Sequence, residues 1–138
     1  MAMGNIPGGP PGLPPVGGEG PPPLATDDDK QLAMFCHASA LAGVLAIGLG
    51  MWVGPLILWM SKKETSPVAA YHAGEALNFQ LNILVVILLT ASLAFINSFF
   101  LILPAAAVLY AGAMAVIVGM KASEGIAFPY PKLIRVIK

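Results

Sequence analysis

Two stretches of this chain contain no Asp, Glu, Lys or Arg: Leu32 to Ser61, thirty residues, and Ala76 to Met120, forty-five. A helix rises about 1.5 Å per residue and needs about 20 residues to cross roughly 30 Å of hydrocarbon. The longer run therefore holds two crossings, near 76–96 and 99–120, with Asn97-Ser98 as the turn between them. Thirteen residues from Ala76 to Ile96 are Leu, Ile, Val or Phe. Each favours insertion by roughly 0.3–0.6 kcal/mol, which together outweighs Asn78, Gln80 and Asn82. The expected fold class is all-α: an integral membrane helical bundle of three to four membrane segments with a disordered N-terminal tail.

The shorter run is long for one crossing and short for two. Three glycines lie in the seven residues Gly48 to Gly54, and Pro55 suits the first position of a new helix. The preferred reading is a short hairpin: helix 31–47, turn 48–54, and a return helix 55–62. A single tilted, kinked crossing is the competing one. A backbone break at membrane depth is tolerated only where protein covers it, so the turn is expected against the other helices or at the far headgroups. Two helix starts are explicit. Thr26 precedes Asp27, Asp28 and Asp29, whose acids complement the positive end of a helix dipole. Ser66-Pro67 pairs a capping hydroxyl with proline at the first helical position.

Composition sharpens the class. Of 138 residues, 57% are hydrophobic and 10% charged, against roughly 25% charged in soluble domains. Seven Lys and Arg balance seven Asp and Glu, which removes general nucleic-acid affinity. A single cysteine, Cys36, excludes a disulfide framework and any cysteine-based zinc site. Residues 1–24 hold seven Gly and eight Pro and have little to bury. The expected organisation is a Pro/Gly-rich disordered tail over 1–25, a helical membrane domain over 26–124, and a basic amphipathic interfacial tail over 125–138. No phosphate loop, nucleophile elbow or HExxH motif is present. The chain is accordingly expected to be no enzyme and to need no cofactor or metal.

Charge sets orientation. Lys62, Lys63, Lys121, Lys132, Arg135 and Lys138 flank the same ends of the two long crossings, and the Asn97 turn has no cation. The positive-inside rule puts loop 61–66 and the C-terminus in the cytoplasm of a multi-pass protein, with the bacterial inner membrane as the expected location. Trp59, Lys62, Lys63, Tyr130, Lys132, Arg135 and Lys138 are the expected interface anchors. In the last residues a cation recurs every third position between aliphatics, a pattern suited to lying in the headgroup region.

His72, Glu75, Asn78 and Asn82 are spaced three, three and four apart, which places them on one helix face. In lipid a central acid is costly, so this polar stripe should face the bundle, with His37 as its natural interhelical partner. The readings are interhelical hydrogen bonding, a proton-titrating pair of His72 and Glu75 or a polar substrate surface, and last a metal site, for which one His and one Glu are too few ligands. Small residues form ridges along Ala38, Ala42, Ala46 and along Ala107, Ala111, Ala115, Gly119. Such ridges let membrane helices approach closely, within one chain or between copies. The expected partners are the lipid bilayer and either a membrane protein or a second copy, with no nucleic acid.

Several of these pieces recur together. His37-Ala38-Ser39-Ala40-Leu41, Gly54-Pro55-Leu56-Ile57-Leu58-Trp59 before Lys62-Lys63, Ser66-Pro67, His72-Ala73-Gly74-Glu75-Ala76-Leu77-Asn78-Phe79-Gln80 and the closing Tyr130-Pro131 with Ile134-Arg135 are the relevant ones. Over Met34 to Lys138 the chain resembles a bacterial domain-of-unknown-function family of small multi-pass membrane proteins. That family is held to be related to a chloroplast inner-envelope import translocon subunit of roughly twenty kilodaltons, and more loosely to magnetosome membrane proteins. The resemblance implies a multi-pass helical fold. The expected function is a non-enzymatic scaffold or accessory subunit acting through helix–helix contacts, the alternative being a translocation-related or proton-linked channel component.

Overall fold

The computed structural model describes residues 20–46, 48–131 and 134–137, without the side chain of Leu45. The expectations for residues 1–19 and for Lys132 and Lys138 lie outside the described residues. Four α-helices build the described chain, which contains no strand: α1 Asp27–Ala38, α2 Val53–Lys62, α3 Pro67–Ser92 and α4 Ile102–Ser123. A 3-10 segment, Ser39–Ala46, continues α1, and short 3-10 turns flank the α3–α4 corner at Leu93–Phe95 and Ser98–Leu101.

The helix ends follow from local chemistry. Thr26 caps α1 by accepting from the Asp29 amide, and the Asp29 carboxylate returns a bond to the Thr26 amide, a reciprocal capping box. Leu24, just before it, packs against the cluster of Ala33, Val68 and Ala122, so order begins ahead of the cap. Ser66 accepts from the Ala69 amide to open α3 with Pro67 behind it. Asn97 accepts from the Phe99 amide and starts the return into α4.

The first ion-free run is not one helix over 31–47. The α-helix stops at Ala38, where the Ser39 hydroxyl donates to the Cys36 carbonyl and the backbone tightens to 3-10. Residues i and i+4 no longer share a face in that winding. Ala42 and Ala46 are consequently exposed, and the small-residue ridge expected along Ala38, Ala42 and Ala46 does not form. The chain reverses at Gly48, whose φ is 76°. It returns backbone against backbone: Gly43 meets Gly50 and Met51, and Gly54 meets Ser39. The tip at Gly48 rests on the Val108 side chain, roughly 15 Å of helix short of the α3–α4 corner.

Depth of cover therefore changes along the long helices. α1 packs chiefly on α4, and α2 on α3. Beside them α3 is buried at Ala73, Ala76, Leu77, Phe79 and Ile83, and α4 at Ala111, Ala115, Val118, Gly119 and Ala122. Beyond the hairpin tip the same helices and the corner between them expose Leu88, Leu89, Phe95, Ile102 and Leu103. Two stretches, Pro67–Phe95 and Ser98–Ser123, are long and apolar enough to cross a membrane.

The close passage at Gly43 generates a prediction. A β-carbon there would press into the backbone of Gly50 and Met51, whereas one at Gly112 would stand 4.0 Å from the Leu41 side chain, an ordinary contact. Gly43→Ala should destabilise the detergent-solubilised protein by about 1–3 kcal/mol, as overpacking does. Gly112→Ala should leave the thermal unfolding midpoint nearly unchanged.

Candidate functional site

The stripe on α3 meets the chain's own C-terminal segment. After α4 the backbone turns through Gly125, with φ 84°, and the described residues 128–131 and 134–137 form neither helix nor strand. Asn78 Oδ1 accepts from the amides of Val136 (2.8 Å) and Ile137 (2.7 Å), while its Nδ2 donates to the Ile137 carbonyl (2.9 Å). One turn on, Asn82 Nδ2 donates to the Ile134 carbonyl (2.7 Å) and its Oδ1 accepts from the Ile134 amide (3.2 Å). Glu75, one turn the other way, holds the Arg135 guanidinium at 2.7 Å. The three- and four-residue spacing thus holds Ile134, Arg135 and Val136–Ile137 of one strap. Each carboxamide offers a donor and an acceptor side by side, which matches the amide and carbonyl of a single residue, Ile137 for Asn78 and Ile134 for Asn82.

A second cluster lies deeper. His37 on α1 and His72 on α3 are both buried, with His37 Nε2 3.0 Å from His72 Nδ1. His37 Nδ1 is 3.1 Å from the Tyr130 hydroxyl. The Tyr130 ring stacks on Phe79 at a centroid distance of 4.3 Å. Burial, reinforced by the negative charge of Glu75, pushes the Tyr130 hydroxyl above its ordinary pKa, so it stays a neutral phenol. The phenol either donates a hydrogen bond to His37 Nδ1 or accepts one from it, and the two histidine tautomers follow that choice. In both arrangements His72 Nε2 is left buried without a partner, as are both amide atoms of Gln80, among the described residues.

The expected residues distribute as follows. His37, His72, Glu75, Asn78 and Asn82 do face the bundle, in two groups: the histidines pair with each other and Tyr130, while the acid and the carboxamides take the strap. Ala111, Ala115 and Gly119 are buried on α4 and Ala107 is half-buried. A β-carbon added at Gly119 would stand 3.6 Å from the Met34 carbonyl oxygen and 3.7 Å from His37 Cβ. Trp59 is half-buried against Gly74, with the Lys63 ammonium 4.4 Å from its ring centroid and Lys62 exposed. Tyr130 is not an interface anchor: it is 6% exposed, inside the bundle, because its ring finds Phe79 and its hydroxyl finds His37. Nor does Arg135 stand free at the surface, since Glu75 engages it. The segment expected to lie in the headgroup region docks on α3, where the stripe satisfies its backbone amides and carbonyls. Pro129 and Pro131 around Tyr130 signalled this: two residues without amide donors suit an extended strap better than an amphipathic helix.

The strap's attachment can be ranked. Asn78→Ala removes three bonds to the tail, whereas Glu75→Gln weakens one ion pair whose arginine is 64% exposed, and such pairs contribute little. Asn78→Ala should speed tryptic cleavage after Arg135 in detergent by about tenfold or more, at roughly 1 kcal/mol per lost bond. Glu75→Gln should speed it less than threefold. Equal effects would contradict this ranking.

The family model of the magnetosome magnetite crystal formation protein family matches residues 28–137. That span includes all four helices almost entirely, the histidine pair and the strap. No curated protein and no solved structure matches the chain.

Proposed function

The chain belongs to the magnetosome magnetite crystal formation protein family, and from that premise we propose that it is a non-enzymatic accessory subunit of a bacterial inner membrane, a scaffold acting through helix–helix contacts. The observation that carries this reading is the uncovered far half of the α3–α4 hairpin. Leu88, Leu89, Phe95, Ile102 and Leu103 are exposed there, where only lipid or another helix can cover them. At the near end the polar groups are largely turned inward on one another and on the strap, which supports a contact role over a wide aqueous path. The family's name points to a membrane beside which magnetite crystals form, and a small accessory protein suits that setting.

In this proposal α3 and α4 cross the bilayer and the α1–α2 hairpin enters and returns, giving three to four membrane segments. Lys62, Lys63, Lys121 and Arg135 then share the cytoplasmic face. The second reading, a translocation-related or proton-linked pore, is favoured by one observation: the buried Tyr130–His37–His72 chain ends on an unpartnered His72 Nε2.

Two measurements separate these readings and test the topology. Proteoliposomes loaded with a pH-sensitive dye should acidify no faster than protein-free vesicles under an imposed gradient. A sustained proton flux abolished by Glu75→Gln would overturn the scaffold in favour of the pore. A cysteine tag at Gly4 and one after Lys138 should label from the same side of the membrane, and labelling from opposite sides would refute the re-entrant hairpin.

A further inference from the structure

We propose that the docked strap and the α3–α4 hairpin together form a site for one phospholipid of the leaflet beside Lys62 and Lys63. Its phosphodiester sits on Arg135, a primary ammonium on Glu75, and one acyl chain in the groove next to the strap. That head chemistry is phosphoethanolamine. Two cavities carry the assignment. A polar recess of about 270 Å³ is lined by Glu75, Asn78, Tyr130 and Arg135 among others. An apolar groove of about 780 Å³ lies between Leu81, Leu84 and Val85 of α3, Ala106 and Tyr110 of α4, and Ile134 of the strap. Pro131 and Ile134 line both, so the recess and the groove adjoin.

Their order along α3 is the order of parts in a lipid. The recess belongs to the end of α3 that follows the cationic loop, and the groove residues 81–86 lie roughly 9–16 Å beyond Glu75 towards the α3–α4 corner. One leaflet contributes about 15 Å of hydrocarbon, so a head at Glu75 puts its chain at groove depth. Charge selects the head. Asn78 and Asn82 are committed to the strap, which leaves Glu75 and Arg135 to face a ligand. Arg135 gives one nitrogen to one Glu75 oxygen at 2.7 Å, and its side chain is 64% exposed. A guanidinium has five N–H donors in a fork that suits phosphate, and the second carboxylate oxygen can accept from an ammonium. An acid and a base side by side complement a zwitterion, whereas a purely anionic head also meets the carboxylate. A helix of another protein would cover the groove and leave that pair uncompensated.

This inference rests on α3 and α4 crossing the bilayer and is independent of the choice between scaffold and pore. The test uses the full chain in phosphatidylcholine nanodiscs doped with phosphatidylethanolamine bearing a mid-chain diazirine, and in parallel with the phosphatidylglycerol analogue. After irradiation, ethanolamine-probe adducts at residues 81–86, 106, 107 and 110 should exceed those at Leu88, Leu89 and Leu109 about tenfold; these three leucines are exposed at similar depth outside the groove. Arg135→Gln should lower the groove adducts about tenfold, the loss of one charge-assisted hydrogen bond. Glu75→Gln should erase the preference for the ethanolamine over the glycerol head. Ala106→Phe, at an exposed position of the groove wall, should displace the chain while the thermal unfolding midpoint stays unchanged. Equal labelling inside and outside the groove would overturn the site and leave the crossings standing. Groove labelling by the glycerol probe equal to or above that by the ethanolamine probe would overturn the head assignment and the proposal with it. Absence of labelling at both places would remove the crossings as well.

Discussion

A peptide backbone placed among apolar surroundings must find partners for its amides and carbonyls, and the arrangement of this molecule follows from that requirement. The helices meet it internally. Residues 134–137 are neither helix nor strand, and Asn78 and Asn82 meet the requirement for them, by pairing with the amides and carbonyls of Ile134 and Ile137 and the amide of Val136. Once the strap is fixed, Tyr130 is carried into the bundle, where it stacks on Phe79 and reaches His37. The histidine pair that ties α1 to α3 is thereby joined to the tail. Polar residues within an apolar helix are here the means by which a non-helical segment enters the fold.

Close backbone approach is the complementary device. In the turn region Gly43, Gly50 and Gly54 let the returning chain touch its outgoing arm. On α4, Ala111 and Ala115 are buried in the core with Ala40, Met51 and the α3 face, and Gly119 meets Met34 and His37 of α1. Such contacts drive association through van der Waals packing where lipid is as apolar as leucine. Towards the α3–α4 corner, Leu88, Leu89, Phe95, Ile102 and Leu103 are exposed. The accessory role proposed for this member of the family draws on that uncovered corner.

Much of this was legible in the sequence, for definite reasons. The ion-free runs, Thr26 with its acids, Ser66-Pro67 and Asn97 mark helices and their ends through local chemistry that tertiary context did not override. The inward face of His72, Glu75, Asn78 and Asn82 followed from periodicity. What the stripe binds did not, because periodicity identifies a face and says nothing of the partner, and here the partner is backbone, which has no sequence signature. Tyr130 was misplaced for the same reason: an aromatic beside cations fits a headgroup belt equally well until Phe79 and His37 are known to lie opposite it. The stop at Ala38 and the exposure of Ala42 and Ala46 were hidden because a repeat of small residues assumes the α-helical period, and the segment winds as 3-10.

The central claim is that the carboxamides of α3 hold the tail's backbone. Amide hydrogen exchange of the intact chain in lipid nanodiscs, resolved at Ile134, Val136 and Ile137, tests it most directly. The account predicts slow exchange at all three, with Val136 and Ile137 turning fast in Asn78→Ala while amides in the middle of α3 stay protected. Exchange at the rate of an unstructured peptide in the unaltered protein would contradict it.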